Sequence, residues 1–181
     1  MNALDVLARD HERLLDLATQ LTGGRGEPPA SSREQRKVAE RLVMEASAHE
    51  AIEEQFFWPI VRDRLEGGKA LALAGIDQEM KGRSMLHELN RVKAGNETFT
   101  TLVFSVASRL RMHATYEESQ IWPKVELAVD RSELDRIGAA MEAARKLAPT
   151  RPHPHTPPDA TLLRVVGVAD RALDALTLRG R

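Results

Sequence analysis

One eleven-residue segment, written twice, constrains this chain more than any other feature: HEAIEEQFFWP at residues 49–59 and HATYEESQIWP at residues 113–123. His49 matches His113, Glu53 and Glu54 match Glu117 and Glu118, and Trp58-Pro59 matches Trp122-Pro123. Both tryptophans of the chain fall inside the two copies. Residues four apart share a face of an α-helix. Each copy therefore presents an imidazole and a carboxylate together, and its proline is expected to kink or end the helix just beyond them. Any fold for this chain has to place two such faces.

Apolar spacing predicts the helices that carry them. Leu4, Leu7, His11, Leu14, Ala18 and Leu21 recur at helical intervals and predict a first helix that stops at Gly23-Gly24. Pro28 and Pro29 mark a loop, and Ser31 or Ser32 caps a second helix. Its stripe is Val38, Leu42, Ala46, His49, Glu53, Phe56 and Ile60, and Gly67-Gly68 ends it near Glu66. A third helix is expected from about Asp77 to Ala94, with Met80, Ser84, His87 and Arg91 in line. Asn96 caps the fourth, whose stripe is Phe99, Leu102 or Val103, Val106, Leu110, His113, Glu117 and Gln120. Strand-like alternation is nearly absent. The expectation is an all-α protein, an up-down-up-down four-helix bundle with extra C-terminal helices.

Beyond the bundle, Ser132 to Asp135 resembles a capping box opening a short fifth helix to about Leu147. PTRPHPHTPP, residues 149–158, holds five prolines in ten residues and reads as a stiff connector. Leu162, Val165, Val166, Ala169, Leu173 and Leu176 then give a final amphipathic helix. The units expected are a bundle with its fifth helix over 1–148, a linker over 149–158 and a C-terminal helix over 159–181. That last helix must cover something, either its own bundle or a second copy in a homodimer.

Composition removes several classes of function. With no cysteine, disulfides, thiolate catalysis and Cys-type metal sites are excluded. A net charge of −1 leaves no basic footprint for nucleic acid. The start, MNALDVLARDHERL, carries charges and no apolar core, so it does not read as a signal peptide. No apolar run approaches the length that spans a membrane. A cytoplasmic location is expected.

What remains is the chemistry on the stripes. Each of the four bundle helices carries one histidine there: His11, His49, His87 and His113. Glu53 and Glu117 share the inward faces of His49 and His113. A buried glutamate is costly unless it is paired or holds a metal. Imidazole with carboxylate, and no thiolate, suits iron or manganese, with zinc as a further option. His153 and His155 lie in the connector and read as solvated. Tyr116 reads as packing, Trp58 and Trp122 as apolar plugs, and Glu54 and Glu118 as groups that hydrogen-bond the ligands or nearby cations.

These residues resemble the hemerythrin-like (HHE cation-binding) family over roughly residues 1–128. The likeness rests on Asp10-His11, on His49-x-x-x-Glu53 with Trp58-Pro59, on His87-Glu88, and on His113-x-x-x-Glu117 with Trp122-Pro123. It implies an up-down four-helix bundle around a non-heme di-iron centre, with the two repeats as half-sites. The implied ligands are His11, His49, Glu53, His87, His113 and Glu117, and the implied cofactor is two iron ions, manganese or zinc being the alternatives. The chain departs from the oxygen carriers of that family in two ways. Arg91 stands where they have a second third-helix histidine, and Glu118 where they have an aspartate. Glu50, next to His49, is a further ligand able to replace what Arg91 lacks. The resemblance thus implies a protein that binds or responds to dioxygen, nitric oxide, peroxide or iron. A di-iron peroxidase or catalase-like enzyme is the alternative, and a metal-free helical adaptor is the third reading.

Overall fold

Buried aliphatic residues flank the inward histidines: Leu7 and Leu14 for His11, Leu42 and Ile52 for His49, and Val106 and Ile121 for His113. The computed structural model describes residues 1–24, 31–153 and 160–177, with side chains of the last segment over 165–176. Helix α1 spans Ala3–Thr22, α2 Ser32–Ile52, α3 Trp58–Arg64 and α4 Gly68–Arg91. Helix α5 spans Glu97–Tyr116, α6 Trp122–Ala128, α7 Arg131–Arg145 and α8 Ala160–Thr177. No strand occurs among the described residues. None of their helices is long and apolar enough to cross a membrane.

Local chemistry sets the helix ends. Asn2 and Asp5 form a reciprocal capping box on α1, as do Ser31 and Glu34 on α2. Asn96 Oδ1 accepts from the Phe99 amide at 2.7 Å to start α5. Gly23, at φ 74°, closes α1. Helix α4 begins at Gly68, well before the expected Asp77, so that Ala72 and Gly75 also face the interior.

The two prolines do not interrupt their rods. Between α2 and α3 lies a π-helical turn, Glu53–Phe57, in which the Trp58 amide donates to the Glu53 carbonyl. Between α5 and α6 lies its counterpart, Glu117–Ile121, where the Trp122 amide donates to the Glu117 carbonyl. Proline has no amide hydrogen and clashes with the carbonyl four residues back. One widened turn just ahead of Pro59 and Pro123 absorbs that clash, and the rod continues. It also advances the inward register by one residue. Phe57 and Val61 are buried where Phe56 and Ile60 were expected, and Ile121 where Gln120 was expected.

The stripe of α4 is also corrected. Its buried residues include Ala72, Gly75, Glu79, Arg83, Leu86 and Leu89, whereas Met80 is 54% exposed and Ser84 is exposed. Two charged residues take inward positions, Arg83 against Glu50 and Glu54 and Glu79 against the indole N–H of Trp58.

Helix α1 packs on α2 and α5, α4 packs on α2, α3 and α5, and α7 lies across α1 and α2. The apolar interior is divided. One cluster holds Leu4, Leu7, Ile52, Trp58, Val61, Ile121 and Val125, and the other holds Leu14, Leu42, Leu86, Phe99, Val103 and Val106. Between them, in every rod, the residues that face inward are polar. Helix α8 is held by its acidic side: Asp170 accepts from the amides of Thr150 and Arg151, and Asp174 from Thr150 Oγ1. Its Val165, Val168, Leu173 and Leu176 are exposed.

Candidate metal centre

The polar layer is contributed by four elements. Helix α1 supplies His11, α2 and its π turn supply His49 and Glu53, α4 supplies Glu79, and α5 with its π turn supplies His113 and Glu117. Each has under a tenth of its surface exposed, and Glu53 and Glu117 have none. His49 Nε2 lies 3.2 Å from Glu53 Oε2, and His113 Nε2 lies 3.4 Å from that same oxygen. His113 Nε2 is 3.5 Å from Glu117 Oε1, and His11 Nε2 is 3.4 Å from Glu117 Oε2. The donor atoms fall into two overlapping groups, His11, His49, Glu53 and His113, and Glu53, Glu79, His113 and Glu117. Within each group they all lie within 4.8 Å of one another.

Buried polar atoms normally find partners. Here His11 Nε2, His49 Nε2, His113 Nε2, Glu79 Oε2 and both carboxylate oxygens of Glu53 and Glu117 are buried without a protein hydrogen bond. Lone pairs that converge with nothing to donate to them fit a cation, and mixed nitrogen and oxygen donors fit iron, manganese or zinc.

Outside this set, a second circle of groups fixes orientation. Glu118 Oε1 accepts from His11 Nδ1 at 2.8 Å, which turns His11 Nε2 inward. Asp10 lies behind His49, 3.7 Å from Nδ1, and is held by Arg145 of α7. Trp58 Nε1 donates to Glu79 Oε1. Arg83 donates to Glu50 Oε2 at 3.0 Å and to Glu54 Oε1 at 2.6 Å. The Trp122 ring stacks on His11, with centroids 5.4 Å apart.

Protonation follows from burial and from these neighbours. Burial depresses His49 to about 4 against the opposing pull of Asp10, which leaves a neutral imidazole with a lone pair to give. Burial also lowers His113. In His11, by contrast, Glu117 and Glu118 outweigh burial and raise the ring. Burial and repulsion from Glu117 and Glu79 push Glu53 well up. Burial pushes Glu117 up too, but the imidazoles of His113 and His11 overcome it and hold the group down. Glu50, raised by burial against the pull of Arg83, sits at about 7.

The structure brings together His11, His49, Glu53, His113 and Glu117. Two expected ligands stand apart. His87 is half-buried and outside both donor groups, because the face of α4 that meets the layer is the one bearing Glu79 and Arg83. Glu50 is buried, but it is engaged by Arg83 and so is also outside both groups. Arg91 ends α4. Tyr116 donates to the Leu71 carbonyl at 3.2 Å and stays out of the donor set. His153 pairs with Asp170 of α8, and His155 lies outside the described residues. The residue that sequence reasoning missed is Glu79. Its signal was there: Ala72, Gly75, Glu79, Arg83 and Leu86 follow the helical repeat once the charges are allowed inside.

Comparison with known proteins agrees with this arrangement. The chain matches the family model of the hemerythrin HHE cation binding domain over residues 2–125. An uncharacterized hemerythrin-like protein of Schizosaccharomyces pombe is 25% identical over 137 residues, covering 75% of this chain and 68% of that protein. The crystal structure of a hemerythrin HHE cation binding domain-containing protein from Mycobacterium kansasii shares the fold, with a TM-score of 0.71 at 21% identity. That likeness covers 100% of this chain and 95% of the other. Every residue of the two donor groups falls inside the matched span, and the chain belongs to the hemerythrin HHE cation-binding family.

Proposed function

We propose that this protein holds two iron ions in its polar layer and presents them to dioxygen, nitric oxide or peroxide. One observation carries the reading: the two donor groups overlap at Glu53 and His113, so the layer offers adjacent positions and not one. Both Glu53 oxygens lack a protein partner, which suits a carboxylate shared between two cations. On this reading His11 and His49 serve one position, and Glu79 and Glu117 the other. Glu79 takes the place on the third rod that the sequence assigned to His87.

Charge supports the count. Glu50, Glu53, Glu54, Glu79 and Glu117 are buried here with a single guanidinium, Arg83, among them. Fully ionised, that set carries four excess negative charges, which two divalent cations would balance. Bound iron would supply Lewis-acid and one-electron redox chemistry. The chain itself orients the donors through Glu118 and Asp10 and excludes bulk water with the apolar clusters on either side.

Elemental analysis tests this directly. Protein from iron-replete cells should contain about two irons per chain, as expected of a bundle with paired half-sites. Stoichiometric zinc without iron would overturn the redox reading, and protein without metal would overturn both. Turnover of hydrogen peroxide by the iron-loaded protein would make it an enzyme; binding without turnover would make it a sensor or store.

A further inference from the structure

The polar layer is closed above and below by apolar residues, yet one side of it is thin. Between α2, α4 and α5 a narrow cleft of about 20 Å³ reaches His49, Glu79 and His113. Its wall on α4 is Gly82, and its outer rim includes Gln78 and Arg109. A cavity needs roughly 10–15 Å³ to admit one water-sized molecule. The cleft therefore passes something very small. Gly82 keeps it open: a β-carbon there would stand 3.7 Å from Arg109 Cδ and 3.7 Å from Glu50 Oε1, in the gap between them.

The rim has a sign. Arg109 is half-buried, and among the described residues it makes no hydrogen bond or ion pair. Of the buried acids nearest the cleft, Glu50 is engaged by Arg83, and Glu79 gives one oxygen to Trp58 and turns the other to the layer. A guanidinium left without a carboxylate at the mouth of a cleft favours anions at that mouth.

We propose that this cleft is the passage by which ligands reach the metal centre, and that it selects molecules of two or three heavy atoms, with Arg109 favouring anions among them. The inference rests on the di-iron reading above, and the following experiment separates the two. Wild type, Gly82→Ala, Gly82→Leu and Arg109→Glu are loaded with iron, metal is measured per chain, and azide association to the oxidised proteins is followed by stopped flow.

All four proteins should carry the same metal. Azide association should slow on the order of tenfold or more in Gly82→Leu, as expected if the leucine clears the passage in about a tenth of molecules. Gly82→Ala should slow it by a smaller factor; because its β-carbon meets only ordinary contacts, it tests the proposal even if the leucine variant fails to fold. Arg109→Glu should slow azide on the order of tenfold at low ionic strength, with the difference shrinking as salt is added. Association of uncharged nitric oxide with the reduced form of Arg109→Glu should match wild type. Unchanged azide association in metal-loaded Gly82→Ala and Gly82→Leu would overturn the passage while leaving the di-iron reading intact. Equal loss of azide and nitric oxide association in Arg109→Glu would overturn the charge selection. Wild type without metal would instead remove the reading beneath both.

Discussion

Replacing Gly75 with alanine should destabilise this protein, although glycine to alanine inside a helix ordinarily does the reverse by about 0.5–1 kcal/mol. Gly75 lies in α4 directly against Trp58. A β-carbon at that position would stand 2.1 Å from Trp58 Cη2 and 2.4 Å from Cζ2, where carbon atoms prefer about 3.5–4.0 Å. The indole cannot step aside freely, since Trp58 is 1% exposed, and it touches Phe57. Overpacking of this kind costs about 1–3 kcal/mol. Moving the ring also strains its bond to Glu79, and a buried acceptor left short of its donor costs about 1–3 kcal/mol. Set against the helix-propensity gain, the net loss is about 1–5 kcal/mol, or roughly 2–20 °C of melting temperature for a chain of this size. Gly82→Ala is the internal control, the same change in the same helix at a site with ordinary clearance, and it should hold or raise the melting temperature. Thermal unfolding followed by circular dichroism on metal-free protein reads both. A Gly75→Ala variant as stable as wild type would refute the claim that this glycine is what lets α4 approach Trp58 and set Glu79.

Glu53→Ala and Glu117→Ala should each lose at least one bound metal by elemental analysis, whereas Glu118→Ala should keep its metal with affinity weakened on the order of ten- to a hundred-fold. In metal-free protein Glu50 contributes stability that is lost as pH rises, opposite in sign to His49, whose burial-lowered ring contributes stability that is gained as pH rises from about 4. The folded Glu50 titrates at about 7, above its ordinary 4.5, so its contribution is complete below 4.5 and gone once pH passes 7. Glu50→Gln should remove about 3 kcal/mol of that slope in urea unfolding between pH 4.5 and 7, and an unchanged slope would count against a buried, proton-holding Glu50. Ending the chain after Pro149 removes α8 with its Asp170 and Asp174 contacts. It should leave metal content unchanged while altering solubility or oligomeric state, because among the described residues no member of either donor group lies beyond Glu117.

Much of this was legible in the chain. Asn96, Ser31 and Gly23 announce helix ends through chemistry that acts within a few residues, so sequence alone locates them. His11, His49, Glu53, His113 and Glu117 were legible because four-residue spacing fixes which side chains share a face. What escaped depended on partners distant in sequence. Glu79 and Arg83 are spaced like an ordinary exposed ion pair, and it is Glu50 and Glu54 that draw Arg83 inward and the indole of Trp58 that draws Glu79. The π turns escaped for a different reason. A proline after an aromatic reads equally as an end, a kink or a widened turn, and only packing on both sides selects the last. With the extra residue missed, the stripes slipped by one, from Phe57 to Phe56 and from Ile121 to Gln120.

The division of the core also explains why access should come from the side. The cluster with Trp58, Val61, Ile121 and Val125 closes one end of the bundle, and the cluster with Leu42, Leu86, Phe99 and Val103 closes the other. Folding energy comes from those two clusters, and the layer between them works against it, since its orphaned oxygens and nitrogens are a cost without a cation. A route along the bundle axis would have to open one of the clusters that offsets this cost. A lateral gap at one glycine opens neither. The same α4 face thus meets three demands in successive turns: Gly75 admits the indole, Glu79 faces the layer, and Gly82 leaves the opening. A side chain larger than hydrogen at the first disturbs the centre, and at the last it narrows the proposed way in.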